Sequence, residues 1–389
     1  VLTDLRSFRP DHLIAEDAFP GVIAVDEPTL AAMVGEGWPT VRGSFDPYID
    51  MDLMGKSLPI FQQTASLIAA NLYMMEDPDL DFFTAVRLGE EAMSGNVSAT
   101  FVNLLYAGAG LAPPFSPEML AVLPRGISYL IMGKSAVYSS SGSRTQVIKD
   151  TFDLYAAAGY LASSGATQAA YGSQQNAWLQ GTLLSSPATW KVLGNSFMMT
   201  PMVIDFTNPL IAAMLPPEFP DFLRTKLIIN NEDFNGLPQK TMEVLGLLGL
   251  VNNAVVISGD IHSTFVTDHK NGIYELTAPA ISSATNGEIV IRVVGSDPIL
   301  GQIPGIEEIL QNYALLLQVS SLSPSVSPSN ILYANTVSHG YGIIDVTADA
   351  FTILIQEISS DEIGTSYYDD PEALNDLFTP LMFTIRDGE

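Results

Sequence analysis

Cysteine is absent from this chain of 389 residues, which excludes disulfides, thiolate metal sites and cysteine nucleophiles. A cysteine-free chain also suits a compartment in which thiols would be oxidised. Basic residues are scarce: 16 Lys+Arg stand against 43 Asp+Glu, a formal net charge of −27. A surface this acidic repels phosphate backbones and anionic lipid heads, so nucleic-acid binding through a basic stripe is not expected. Histidine occurs at four positions, 12, 262, 269 and 339, too few for a His-rich metal site. Long apolar runs are also lacking. The longest uncharged stretch, from Leu154 to Trp190, is full of Ala, Ser, Gly and Gln, and a bilayer span needs ~20 predominantly apolar residues. No signal peptide opens the chain. Val1-Leu2-Thr3 reads as part of a strand without an initiator Met, and the expectation is a middle portion of a longer gene product.

What is present is apolar: 47% hydrophobic residues against 15% charged ones. That balance excludes disorder, which combines low hydrophobicity with high net charge. From His12 to Ser164 apolar residues recur at three- and four-residue steps, as in LPIFQQTASLIAANLYMM (58–75), FFTAVRLGEEAM (82–93), SPEMLAVL (116–123) and RTQVIKDTFDLYAAAGYLA (144–162). This period predicts helices, and residues 11–165 read as a helical insertion or subdomain. The second half changes period. KLIIN (226–230), NAVVISGD (253–260), GIYELTAP (272–279) and YGIIDVTADAFTILIQEI (341–358) are short β-like runs, with a helical stretch at 237–251. Runs that are apolar throughout, such as AVVIS, predict strands covered on both faces in an α/β core. Residues 361–389 form an acidic C-terminal tail with one amphipathic helix around 371–381.

The sharpest local feature is SGDIHS (258–263). An apolar strand ends in Gly259 and then presents Asp260 and His262 two residues apart. Strand period places both side chains on one face at the carboxyl edge, where open α/β sheets bind ligands. A carboxylate and an imidazole converging there suit a metal ion or an acid/base pair; the bland alternative is a turn cap and a satisfied loop histidine. Asp77, Asp79 and Asp81 alternate as in a calcium loop but lack its Gly and Glu, and read as a solvated acidic loop. The serine-rich run 139–143 has no nucleophile elbow around it and reads as a flexible loop.

SGDIHS after an apolar strand resembles the last metal motif of the alkaline phosphatase D-like family of metallophosphoesterases. Further pieces are similar in the family's order. DLRSFR (4–9) resembles its Asp-x-Arg-x-x-Arg strand end. YGSQQNAWL (171–179) and SSPATWKVLGNSFMM (185–199) resemble its Gln-x-x-Trp-Leu helix and Trp-Lys-Val strand. NEDFNGLP (231–238) resembles its Asp-x-Trp-Asp-Gly-Tyr-Pro loop, with Phe234, Asn235 and Leu237 in place of Trp, Asp and Tyr. ELTAPAISS (275–283) and NILYANTVSHGYGIIDVT (330–347) resemble its closing strands. The similar residues are 1–10 and about 170–350.

The resemblance implies the later part of a four-layer α/β/β/α sandwich, with residues 1–10 giving one strand, 11–165 the insertion and 166–360 the core. It implies metal-dependent hydrolysis of phosphate mono- or diesters outside the cytoplasm, in the periplasm or as a secreted protein. Calcium and iron are the metals it implies. Asp260 and His262 are the metal-site residues it carries over. Asn195 stands as a site amide or a turn former, and Asn235 at the position of a substrate or cation contact. Arg6 reads first as an ion-pair partner of Asp4 or Asp11 and second as a bidentate phosphate ligand. The family's other metal carboxylates precede the Asp-x-Arg segment, so a preceding chain segment or a second copy is expected to complete the sandwich. The competing class is a non-catalytic extracellular structural or assembly protein that kept the fold.

Overall fold

The computed structural model describes residues 1–296 and 300–388. The chain is a mixed α/β protein that divides into two compact units, one of Asp11–Thr167 with Ile229–Glu232, the other of Val1–Pro10, Gln168–Ile228 and Asp233–Glu389.

In the first unit, helix Pro59–Glu76 lies against helix Phe82–Ala92. Ala65, Ser66, Ala69 and Ala70 are buried on the longer helix. Gly89 lets the backbones approach closely, because a Cβ there would sit 2.3 Å from the Ser66 carbonyl oxygen. The small-residue patches are therefore contact surfaces. Asp81 accepts hydrogen bonds from Phe83 N and Thr84 N and caps the second helix, so this member of the acidic triplet has a structural use. The unit also holds a sheet of short strands that three- and four-residue spacing does not disclose. They are β1 (Ile23–Val25), β2 (Asp46–Asp50), β3 (Asn96–Ser98) and β4 (Arg125–Ser128), in the order β1-β4-β2-β3 and antiparallel throughout. A further short strand, β5, spans Gln146–Ile148. The serine-rich run is pinned: Ser143 Oγ donates to Ser139 and Ser140 O, and the buried Lys134 amine donates to Glu16 O and Ser139 O.

The second unit is built on a five-stranded sheet. Its strands are β6 (Lys191–Phe197), β9 (Ala254–Gly259), β10 (Thr264–Asp268), β11 (Ile273–Thr277) and β12 (Asn330–Asn335), in the order β12-β10-β11-β9-β6. The β6, β9 and β11 strands are parallel, and β10 runs antiparallel to β11 and β12. The first residues lie beside β6, where Thr3 N donates to Gly194 O at 3.0 Å and Gly194 N to Val1 O at 2.7 Å. A short pair, β7 (Val203–Asp205) and β8 (Lys226–Ile229), is antiparallel. A second, antiparallel sheet consists of β13 (Ser338–Val346), β14 (Ala350–Ser359) and β15 (Thr379–Arg386).

Strand β9 shows how these layers stack. Successive side chains of a strand point to opposite faces. Ala254 and Val256 pack with Leu179 and Leu183 of helix Gly172–Ser185 and with Val244 and Leu248 of helix Pro238–Leu248. Val255 packs with Phe351, Ile353 and Ile355 of the second sheet. Helices, five-stranded sheet and three-stranded sheet thus form successive layers, and the uniformly apolar reading of AVVIS has its cause in burial on both sides. The C-terminal segment contains helix Pro371–Asp376 and then β15 rather than one longer helix. From Thr379 onward the sequence alternates, and Ile385 turns into the core beside Phe351.

Candidate functional site

The carboxyl ends of the parallel strands gather the polar residues of the second unit. Strand β9 stops at Gly259, so Asp260 and His262 lie in a turn and not on the strand. Both take left-handed backbone conformations, with φ of 73° and 58°. For residues other than glycine this region costs roughly 1–2 kcal/mol, and such strain gathers at ligand sites. The turn is what lets the chain pass from β9 over the end of β11 to β10.

Asp260 is exposed, and its carboxylate has no hydrogen bond among the described residues. His262 is half-buried, with Nδ1 2.7 Å from Ala284 O. A carbonyl oxygen can only accept, so Nδ1 carries the proton, and in the neutral ring Nε2 keeps its lone pair. This is how ligating histidines are commonly oriented. The turn is clamped further because His262 O accepts from Asn286 N at 3.1 Å. Asn286 opens helix Asn286–Ser296, whose first turn is closed by the reciprocal bonds of Thr285 and Glu288, a capping box. Ser263 Oγ, Thr264 Oγ1 and Asn286 Oδ1 are buried beside this turn without a hydrogen-bond partner.

The donor chemistry of Asp260 and His262 suits two positions around a metal ion. Among the described residues, no group of three or more His, Cys, Asp or Glu could hold a metal. These two residues therefore fit part of a coordination sphere, and among the described residues no others close it.

The remaining candidates are placed elsewhere. Asn195 lies in an irregular stretch of β6 and is buried; its Oδ1 accepts from Thr3 Oγ1 at 2.9 Å and Tyr171 OH at 3.2 Å, and its Nδ2 donates to Phe197 O at 2.6 Å. Its amide stitches the first residues of the chain to β6. Arg6 is exposed and makes no ion pair among the described residues. Asn235 links two loops: Nδ2 donates to Thr200 O at 3.2 Å and to Asp233 Oδ1 at 2.6 Å, and Oδ1 accepts from Met202 N at 3.0 Å.

Three groups inside the quoted motifs, to which motif reading assigned no role, lie near these residues. Arg9 stacks over the Phe197 ring, 5.0 Å from its centroid. Asp233 is 4% exposed, and burial pushes its carboxyl up to about 7 against the opposing pull of the Asn235 hydrogen bonds. Glu275, in the middle of β11, has no exposure. Its oxygens accept from Met199 N at 3.0 Å, Thr200 Oγ1 at 2.8 Å, Ser258 Oγ at 2.7 Å and His269 Nε2 at 3.0 Å. His269 Nδ1 in turn lies 2.8 Å from Ser329 Oγ. Burial alone would raise the Glu275 carboxyl, but the hydrogen bonds and the imidazole beside it prevail and hold it below its usual value. Glu275 thereby fastens the exit of β6 to the last residues of β9. One signal was available in sequence: a lone carboxylate inside the apolar run IYELT.

Together these features define an α/β protein with an open carboxylate–imidazole turn at the carboxyl ends of its parallel strands. The family model of the PhoD-like phosphatases matches residues 145–354, more than half of the chain, and the chain belongs to that family. The match takes in Asn195, Asn235, Asp260 and His262, while Arg6 lies before it. A solved structure described as "Structure of PhoD" is similar at 14% identity, over 56% of this chain and 33% of that one, with a TM-score of 0.32. The chain thus spans about a third of the length of that structure. No curated protein matches it. Among the described residues, no helix is long and apolar enough to cross a membrane.

Proposed function

We propose that this chain takes part in metal-dependent hydrolysis of phosphate mono- or diesters, of the alkaline phosphatase/phosphodiesterase type. Membership of the PhoD-like phosphatases supports the reaction class. The observation that carries the assignment of the site is the His262 Nδ1–Ala284 O bond, which leaves Nε2 and the neighbouring Asp260 carboxylate open. In this reading His262 and Asp260 each supply a donor to a metal, calcium and iron being the ions the family implies. A bound metal of this kind neutralises phosphoryl charge and lowers the pKa of a coordinated water. Asn235 positions the substrate through the loop it shares with Thr200 and Met202. Arg6, exposed and without an ion pair among the described residues, is available to a phosphoryl oxygen, and Asn195 fixes the β6 exit from within.

Two donors fall short of a dinuclear centre. The reading therefore calls for further ligands from another segment or a second copy, which would also complete a four-layer sandwich beyond the helix, sheet and sheet layers of this chain. A periplasmic or secreted location accords with the absence of cysteine.

The test is hydrolysis of 4-nitrophenyl phosphate and bis(4-nitrophenyl) phosphate, with elemental analysis of the same sample. The expected result is turnover that chelation removes, and a loss of at least about 100-fold in His262→Ala with an unchanged circular dichroism spectrum. Near-wild-type turnover in that variant overturns the assignment of His262.

A further inference from the structure

A cavity of about 300 Å³ lies at the C-terminal end of the second unit, and its walls include Tyr341, Phe378, Tyr367, Tyr368, Ile281 and Glu362. Tyr341 and Phe378 stand nearly at right angles, with centroids 5.4 Å apart and planes at 73°, so they form two walls of a corner. The Tyr367 hydroxyl donates to Glu362 Oε2, which fixes a third ring beside a carboxylate. Tyr368 is 92% exposed and Ile281 77%, both large apolar groups left in water at the rim.

The segment that supplies half of the wall carries charge of one sign. No Lys or Arg stands between Arg292 and Arg386, whereas Asp361, Glu362, Asp369, Asp370 and Glu372 all fall on the segment that supplies half of the wall. Aromatic faces carry negative charge density and attract cations within about 6 Å, and the carboxylates reinforce the same preference. A hydrated metal ion asks for a cage of oxygens, which a wall of three tyrosines, a phenylalanine and isoleucines does not provide. A neutral apolar ligand would gain nothing from the acidic field. The occupant that satisfies both features is a cation with an apolar skirt.

We propose that this cavity binds the alkylammonium group of a small organic cation, held against Tyr341 and Phe378 with Glu362 as its counter-charge. The site goes beyond the phosphoesterase reading and requires no catalysis, so it stands or falls separately. It adjoins the candidate turn through one loop. Gly340 N donates to Ala280 O at 2.9 Å, and His339 Nε2 faces Ser283 O at 2.9 Å, while the next residue, Ala284, holds His262.

The experiment is calorimetric titration of the full chain with tetramethylammonium chloride against sodium chloride at constant ionic strength, with tert-butanol as the uncharged analogue. Saturable one-to-one binding of tetramethylammonium and none of tert-butanol are expected. Tyr341→Leu and Glu362→Gln should each weaken the affinity by roughly two- to thirtyfold, the span of a single cation–π or charge contact. Glu362→Gln keeps the side chain's size and an acceptor for the Tyr367 hydroxyl, and keeps the test open if Tyr341→Leu does not fold. Absence of saturable binding, equal binding of tert-butanol, or undiminished binding in the folded variants overturns the proposal.

Discussion

Two carboxylate–imidazole pairs lie close in sequence, and they have been put to opposite uses. Glu275 and His269 are sealed in the interior, every oxygen of the carboxylate engaged and the far ring nitrogen satisfied by Ser329. Asp260 and His262 sit on a strained turn, one carboxylate open and one ring nitrogen left with its lone pair. The same two functional groups therefore say little by themselves. What separates a fastening from a site is how many of their hydrogen-bonding positions the protein has already filled.

The strongest test of this contrast is Glu275→Ala. It leaves Met199 N and His269 Nε2 without an acceptor in a dry interior, and Thr200 Oγ1 and Ser258 Oγ with only the hydroxyls of Thr267 and Thr277 as partners. Breaking a buried pair in this way costs about 3–5 kcal/mol, to be read from urea denaturation. A loss below about 1 kcal/mol would show that water reaches these groups and that the sealed half of the contrast is wrong.

An intermediate effect is expected at Asp233, buried yet pushed up to about 7. An acid whose folded value lies above its unfolded value contributes stability that is fully present below pH 4 and is lost as pH rises towards 7, because the unfolded chain releases its proton first. Glu275, held low, has the opposite slope, losing its contribution as pH falls. The two are separated by comparison: Asp233→Asn keeps an acceptor for Asn235 and should flatten the decline in melting temperature between pH 4 and 7 relative to the parent. Identical slopes in the two proteins would remove Asp233 as the cause.

The smallest effect belongs to the open pair. Asp260→Gly relieves a positive φ and should leave stability unchanged or raise it by up to about 1 kcal/mol, while metal retention falls. A clear destabilisation by differential scanning calorimetry would mean that Asp260 supports the fold, and the contrast would close.

Much of the frame was legible in sequence because burial writes a simple pattern. The helices at Pro59–Glu76 and Lys149–Ala162 follow three- and four-residue spacing, and β9 and β11 follow continuous apolar runs. The four strands β1 to β4 escaped, since each has only three to five residues, too short for a period to show. Strand β15 was hidden behind an acidic segment whose helix ends early. At the candidate turn, SGDIHS marked Asp260 and His262 but not their geometry. Strand period carries no information once the backbone enters a left-handed turn, and only the fold shows that Ala284 holds the ring. Glu275 and Asp233 were missed for a related reason, since a buried carboxylate is defined by partners distant in sequence.

The bond between Thr3 and Gly194 joins residues 191 positions apart. During synthesis at about 5–20 residues per second, an interval of roughly 10–40 s separates the emergence of these two partners. Throughout it residues 1–10 have no β6 to lie beside, while residues 11–167, most of the intervening unit, emerge one after another. Pairing around Asn195 therefore waits until about 190 further residues have been made, and residues 1–10 must stay unaggregated until then.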